Sequence, residues 1–189
     1  MDKLSLKVIE ILKQSGGIET CEGWEIPLDL NLSGLDLIQL PKIKSIGRSL
    51  FCGRNKLLSL VGCPKIIPGS LLCYHNRFRD LVGSPERIGG NFSCYGNEIK
   101  HLLGGPVFVG NDCDLSYNGI VSLVGGPSFV GGDFDCSYNK LKDLVGCPAE
   151  VGMDFFCRYN QMVLLVDSIK YLCSIGRNFY SDEFRVEIL

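Results

Sequence analysis

Residues 131–148 read GGDFDCSYNKLKDLVGCP, and this stretch decides the fold. Polar and apolar residues alternate from Asp133 to Ser137, a pattern typical of a short, half-buried strand. Two glycines precede the alternation, and Asn139 and Pro148 follow it with turn-forming chemistry. The stretch therefore predicts a short strand and a tight loop, with the apolar members of the alternation pointing inward.

The same pattern returns every 21 residues, the spacing between Asn118 and Asn139. The asparagine column is Asn55, Asn76, Asn97, Asn118, Asn139 and Asn160. The other columns are Leu60, Leu81, Leu102, Leu123, Leu144 and Leu165; Gly62, Gly83, Gly104, Gly125 and Gly146; Pro64, Pro85, Pro106, Pro127 and Pro148; and Ile67, Ile88, Val109, Val130 and Val151. Columns that stay in phase along the chain establish an internal repeat.

One repeat unit cannot bury its own apolar side chains, because a single coil leaves its interior open to solvent above and below. Stacked coils can bury them, since each strand then pairs in parallel with the next at about 4.8 Å. In the unit above, the inward residues are Phe134, Cys136, Leu141, Leu144 and Val151. The sequence therefore predicts a solenoid.

The unit resembles the leucine-rich-repeat signature L-x-x-L-x-L-x-x-N-x-L, with cysteine replacing its third leucine and glycine its first. It is similar to the short-repeat type found in bacterial and bacteriophage proteins, over about residues 29–182. The resemblance implies an α/β-type, mostly β solenoid, coiled right-handed, with a parallel sheet on its concave face and a buried asparagine ladder. Three positions depart from the signature: Leu115 replaces a cysteine, Cys113 replaces the preceding large apolar residue, and Leu35 replaces the asparagine of a degenerate first coil.

We interpret residues 1–189 as one leucine-rich-repeat domain. Its predicted parts are an N-terminal cap over 1–28, repeats over 29–166, and a last coil with a C-terminal cap over 167–189.

Both ends of a solenoid need covers, because an open end exposes core side chains and unpaired strand edges. Residues 3–14 predict an amphipathic capping helix, and we expect Trp24 to pack between this helix and the first coil. The apolar stripe of the helix is Leu4, Val8, Ile11 and Leu12. At the other end we expect a helical turn over 167–175 and a last strand over 179–181.

Composition narrows the classes of function. The chain of 189 residues is 46% hydrophobic, with a net charge of −2 and a pI near 5.7. This charge predicts no general attraction to nucleic acid or to an anionic membrane. The N-terminal residues do not resemble a signal peptide, so we expect a cytoplasmic protein.

The asparagine and cysteine columns have structural explanations. An amide side chain offers both donors and an acceptor to backbone groups at a turn. The inward cysteine column is Cys52, Cys73, Cys94, Cys136 and Cys157. Free cysteine behaves as a small buried hydrophobic residue; a stacked thiolate metal site is the alternative, but no ligand spacing supports it.

Function in such a solenoid is expected on side chains that point outward from the sheet. Asp112, Asp133 and Asp154 form one outward acidic column, and Asp114 and Asp135 another. Aligned carboxylates repel one another, and a basic partner or a cation would relieve that repulsion. The alternative is a solvated acidic face.

Large apolar and aromatic residues share the same face, which is the composition that protein interfaces favour. Shielding by the caps or by neighbouring side chains is the alternative explanation for their position. The candidate partner-binding residues are Phe51, Leu72, Tyr74, Tyr95, Asp112, Asp114, Tyr117, Asp133, Asp135, Tyr138, Asp154, Phe156, Arg158 and Tyr159. Phe108 and Phe129 lie elsewhere in the unit, and we expect them to serve packing.

These observations predict a binding module for a protein with a basic patch, and the resemblance suggests a pathogen- or phage-encoded inhibitor of a host protein. A small-molecule- or cation-binding protein that uses the acidic patch is the alternative. We expect neither catalysis nor a cofactor, since no nucleophile–base set or phosphate-binding glycine loop is present and the glycine pairs recur with the repeat.

Overall fold

The computed structural model describes residues 5–162 and 173–181, and it shows a mostly β solenoid. Its described part begins with one helix, Leu6–Gln14, which buries Val8 and Leu12. The Ser5 side chain accepts a hydrogen bond from the backbone N–H of Val8 and so caps the first turn. This confirms the N-terminal helix, although Leu4 of the predicted stripe lies outside the described residues.

Two parallel sheets of two-residue strands run along the solenoid, and the coils from Leu50 to Tyr180 contribute a strand to each. We call the eight-stranded one the long sheet. Its strands are Leu30–Asn31, Leu50–Phe51, Leu71–Leu72, Phe92–Ser93, Cys113–Asp114, Phe134–Asp135, Phe155–Phe156 and Phe179–Tyr180. We call the six-stranded one the short sheet. Its strands are Ile66–Ile67, Arg87–Ile88, Phe108–Val109, Phe129–Val130, Glu150–Val151 and Ser174–Ile175.

The repeat spacing sets the register of both sheets. Phe134 pairs with Cys113 on one side and with Phe155 on the other, each 21 residues away. The last coil is longer, because Phe155 pairs with Phe179. The predicted solenoid and its parallel pairing are therefore confirmed.

A third, three-stranded sheet joins the helix to the first coils. Its strands are Ile18–Thr20, Gly23–Ile26 and Ile43–Ile46, and the first two pair antiparallel. Trp24 lies in the middle strand, buried in the same core cluster as Val8 and Leu12.

The core is a single cluster filled from both sheets. The long sheet contributes its first strand residue and the cysteine two positions later, as with Phe134 and Cys136. The short sheet contributes the aliphatic column that includes Val130. All five cysteines of the predicted column have no exposed surface. Cys113 and Leu115 occupy the predicted inward positions and are also buried.

The asparagine ladder closes each coil onto the preceding one. The side-chain N–H of Asn76 donates to the carbonyl oxygens of Cys52 and Cys73, each over 3.0 Å, while its oxygen accepts from the N–H of Leu57 at 3.0 Å. Equivalent bonds recur at Asn55, Asn97, Asn118, Asn139 and Asn160. The structural role predicted for this column is confirmed.

Two features of the structure differ from what the sequence predicted. The short sheet was not expected, because the aliphatic column of each unit predicted only inward packing. Residues 173–175 of the predicted C-terminal helical turn are not helical, since Ser174–Ile175 pairs with Glu150–Val151 and thereby joins the short sheet. The remainder of that turn, over 167–172, lies outside the described residues. The last strand was expected over 179–181, and Phe179–Tyr180 forms it.

Candidate functional site

The outer row of the long sheet places the predicted residues in one line. Because alternate side chains of a strand face opposite ways, the second residue of every strand points away from the core. In register, this row is Asn31, Phe51, Leu72, Ser93, Asp114, Asp135, Phe156 and Tyr180. From Phe51 to Tyr180 its members are half-buried. Two carboxylates thus occupy the middle of a row that has large apolar side chains towards both ends.

Asp114 and Asp135 are neighbours in register, and each is held by a local hydrogen bond. The Asp114 carboxylate accepts from the N–H and the hydroxyl of Ser116 at 3.0 and 2.6 Å. The Asp135 carboxylate accepts from the N–H of Ser137 at 2.8 Å. Burial nevertheless raises the pKa of Asp135, with smaller contributions in the same direction from the charges of Asp114 and Asp133. The hydrogen bonding by Ser137 therefore does not fully offset the cost of burying the ionised Asp135 carboxylate in the free protein.

The other acidic column accepts hydrogen bonds along the solenoid. The carboxylates of Asp112 and Asp133 each accept the backbone N–H of the same position in the next coil, at 3.0 Å. Asp154 does the same for the N–H of Asn178. This side-chain ladder continues backwards through Asn91, Ser70, Ser49 and Asp29. The column stabilises strand entry along the solenoid, so its charges already have partners within the protein.

A ladder of aromatic rings lines the edge where the chain leaves the long sheet. Tyr117 and Tyr138 stack with ring centroids 4.1 Å apart, and Tyr138 and Tyr159 stack at 4.3 Å. These three side chains are 52%, 40% and 57% exposed. Tyr95 extends the ladder to Tyr117 at 6.2 Å, and Tyr74 lies 6.0 Å from Tyr95.

The three stacked tyrosines have left-handed backbones, with φ of 53°, 56° and 56° at Tyr117, Tyr138 and Tyr159. This conformation is unfavourable for a residue with a large side chain, by roughly 1 kcal/mol or more. Hydrogen bonding to Tyr117, burial, and hydrogen bonding to Tyr159 raise the pKa of Tyr138 to about 12. The stacked rings therefore present a line of hydroxyl groups rather than open ring faces.

Two further residues belong to the site although they were absent from the predicted set. His75 hydrogen-bonds the Tyr95 hydroxyl at 2.7 Å and packs edge-on against that ring. Tyr180 stacks on Phe156 at 4.8 Å, and the Arg158 guanidinium lies 5.2 Å from the Tyr180 centroid. Both follow from the repeat: His75 takes the position of Tyr117, and Tyr180 that of Phe156 after the longer last coil.

The structure thus places all fourteen predicted residues on the long sheet, at its strand-entry edge or at its tyrosine-bearing edge, and we call this surface the sheet face. Phe51 and Leu72 are neighbours in register at one end, and Phe156 lies at the other. The two ends are separated by the strands of Ser93, Asp114 and Asp135, so the predicted apolar residues form two patches instead of one.

Cysteines outside the inward column differ in the pKa of their thiols. Cys63 and Cys147 hold the same position of their coils, but burial raises the pKa of Cys63 to about 12. At Cys147 a hydrogen bond from the Cys173 thiol lowers the pKa, whereas the same contact raises that of Cys173. In the part of the chain that the structure describes, no three His, Cys, Asp or Glu side chains converge to hold a metal ion.

One groove of the described residues lies away from the sheet face. Its volume is about 1020 Å³, and it is lined by residues of the first coils, among them Lys42, Lys44 and Lys65. Lys44 is paired with Glu22 and Glu25, and Lys65 with Glu86. None of the predicted site residues lines this groove.

Comparison with protein-family models, with curated proteins and with solved structures gave no match. None of the described helices has the length and apolar character that crossing a membrane requires.

Proposed function

We propose that this protein binds a protein partner through the sheet face, with Asp114 and Asp135 receiving a lysine or arginine side chain of the partner. The observation that carries this proposal is the position of Asp135, half-buried beside a second carboxylate in the middle of an outward-facing row, where burial raises its pKa. A cation placed between the two carboxylates removes their repulsion.

The large apolar residues around this pair are of the kind that contributes most binding energy in protein interfaces. Phe51 and Leu72 flank the carboxylates towards one end, and Phe156 and Tyr180 flank them towards the other. Large apolar side chains on both sides of the pair can exclude water from it, as the residues that surround the strongest contacts of an interface do. The tyrosine ladder adds hydroxyl groups along one edge of this surface.

We further propose that the repeats are of the short leucine-rich-repeat type, on the strength of the asparagine ladder and the signature. The resemblance to bacterial and bacteriophage repeat proteins supports a host protein in the cytoplasm as the partner. Tight binding would then block that protein's own interactions.

A pull-down from native host cells with a matched control tests the proposal. The test variant is Asp114→Asn/Asp135→Asn, which removes two charges but keeps oxygen acceptors. The control is Asp80→Asn/Asp143→Asn on the loop side of the coils. There each carboxylate likewise accepts from the N–H two residues later, Val82 or Val145.

We expect at least one protein to be captured by the wild type and by the control variant, and lost with the test variant. Calorimetry with that purified protein then gives an affinity reduced by about tenfold or more in the test variant, as loss of a desolvated charge pair implies. Equal capture of every protein by all three versions would contradict the proposal.

A further inference from the structure

The four central strands of the short sheet, between those of Ile66 and Ser174, carry an outer row with its own pattern. The charged residues of this row are exposed and its aromatic residues are half-buried. In register, Arg87 lies beside Phe108, Phe108 beside Phe129, and Phe129 beside Glu150. The two phenylalanine rings stack with centroids 4.9 Å apart, and the Arg87 guanidinium lies 3.6 Å from the Phe108 centroid. The row therefore reads positive, aromatic, aromatic, negative along the solenoid.

The middle of this surface has no charges. Residues 102–111 and 115–132 contain no charged side chain. Val107, beside Phe108, is 58% exposed. The corner that follows the row is flattened by Gly110 and Gly131, where a Cβ atom would collide with the carbonyl oxygen of the preceding coil. The half-buried aromatic pair and the exposed Val107 therefore lie beside a corner that carries no side chain at Gly110 or Gly131.

The two ends of the row are the charged groups still available to a partner. Glu86, next to Arg87, is already paired with Lys65 at 2.6 Å. Among residues 5–162 and 173–181, the salt bridges include neither Arg87 nor Glu150. Three strand spacings of about 4.8 Å separate Arg87 from Glu150, so the two cannot pair within one molecule.

We propose that this row is the interface of a two-fold symmetric dimer formed with a second copy of the chain. Turning the row end over end converts positive, aromatic, aromatic, negative into its own complement. About a two-fold axis between Phe108 and Phe129, Arg87 meets Glu150 of the partner subunit, and the aromatic pairs of both subunits pack together. Such self-complementarity is what a two-fold interface requires of one surface, and binding to an unrelated protein requires no such symmetry.

The dimer would leave both sheet faces free, because they belong to the other sheet. Two copies of the proposed binding surface would then act together on a partner that is itself multivalent. The inference does not depend on that function, since it rests on a different surface and is tested without any partner.

Sedimentation velocity over a range of protein concentrations tests the inference with charge reversals. Wild type is expected to dimerise. Arg87→Glu and Glu150→Arg should each weaken the dimer by about tenfold or more, because each brings like charges together twice across the axis. The double variant Arg87→Glu/Glu150→Arg restores opposite charges only between subunits and should dimerise like wild type.

Two further variants test the interpretation. Val107→Asp places a charge in the apolar middle and should give a monomer. Lys100→Glu reverses an exposed charge on the loop side and should leave the dimer unchanged. Circular dichroism verifies folding in each case. A wild type that stays monomeric, a double variant that stays dissociated, or a Lys100→Glu variant that dissociates would overturn the inference.

Discussion

At the scale of single residues, one asparagine side chain holds two coils together. The amide of Asn139 donates to the carbonyl oxygens of Leu115 and Cys136 at 3.0 Å each, and its oxygen accepts from the N–H of Ile120 at 3.0 Å. Leu115 and Ile120 belong to the preceding coil, so the side chain satisfies buried backbone groups that the turn would otherwise leave unpaired.

Replacing this amide therefore has a definite consequence. We expect Asn139→Ala to lower the free energy of unfolding by about 1–3 kcal/mol, because buried backbone groups lose their partners. Urea denaturation measures the change. The neighbouring exposed substitution Lys140→Ala is the control and should change stability little. A loss at Asn139→Ala no larger than that of the control would contradict the role of the ladder.

The raised pKa of Asp135 links stability to pH. The folded protein binds a proton at Asp135 more readily than the unfolded chain, whose carboxyl has the ordinary value of 3.8. The free energy of unfolding therefore falls as pH rises from 3.8 through the raised value.

Asp135→Asn should remove this fall in stability. Above the raised pKa we expect the variant to be more stable than wild type, by roughly 0.5–1 kcal/mol, because one of two aligned like charges is gone. At lower pH the two proteins should converge. Urea unfolding across a pH series compares the two proteins. A variant less stable than wild type near neutral pH would contradict this account, because it would show that favourable interactions of the ionised Asp135 outweigh the cost of its burial.

Cys147 and Cys63 offer a matched pair of thiols. At about pH 8, iodoacetamide should alkylate Cys147 faster than Cys63 in the folded protein, because the thiolate is the reactive form and only Cys147 has a lowered pKa. Mass spectrometry of peptides follows both rates. Cys173→Ala removes the thiol that hydrogen-bonds the Cys147 sulfur and should slow the alkylation of Cys147. Equal rates at Cys63 and Cys147 would contradict the assignment.

At the scale of structural elements, the two-residue strands explain what the sequence could predict. The long-sheet strand was predictable because polar and apolar residues alternate around Phe134 and Asp135. The short sheet was not, since the residues around a strand such as Phe129–Val130 do not alternate in polarity. Its outward row also mixes arginine, phenylalanine and glutamate, which obscures any shared property.

The candidate site was predictable to a similar extent. The outward positions follow from the alternation within each strand and the 21-residue repeat, so the alignment of Asp114 with Asp135 was predictable. The role of Asp133 was not, because its bond to the next coil depends on where the backbone N–H of Asp154 points. The stacking of Tyr138 likewise depends on backbone angles that the repeat pattern does not encode.

The aspartate ladder at strand entry gives a prediction for this scale. Asp133→Asn keeps an oxygen that can accept from the N–H of Asp154, whereas Asp133→Ala does not. We expect the alanine variant to lose about 1–2 kcal/mol of unfolding free energy and the asparagine variant to stay near wild type. Thermal or urea unfolding compares them. An asparagine variant as unstable as the alanine variant would mean that charge, not the hydrogen bond, is what stabilises the strand.

At the scale of the whole molecule, the repeat produces surfaces with different properties from one core. The long sheet presents paired carboxylates between two patches of large apolar side chains. The short sheet presents an uncharged aromatic pair, with Arg87 on one side of it and Glu150 on the other. Each coil contacts its neighbours through backbone pairing in both sheets, so a residue's place along the solenoid is fixed by its place in the repeat. Both proposed interfaces depend on this relation.

Distances between spin labels test this relation most directly. Lys56, Arg77, Lys140 and Gln161 hold the same exposed position of different coils. Labels attached through ketone-bearing residues avoid the ten native cysteines. The pairs 77–140, 56–140 and 56–161 span three, four and five coils. Their backbone separations should be about 14, 19 and 24 Å, an increase of about 5 Å per coil. Double electron–electron resonance distances that do not lengthen with each added coil would contradict the solenoid and the two surfaces built on it.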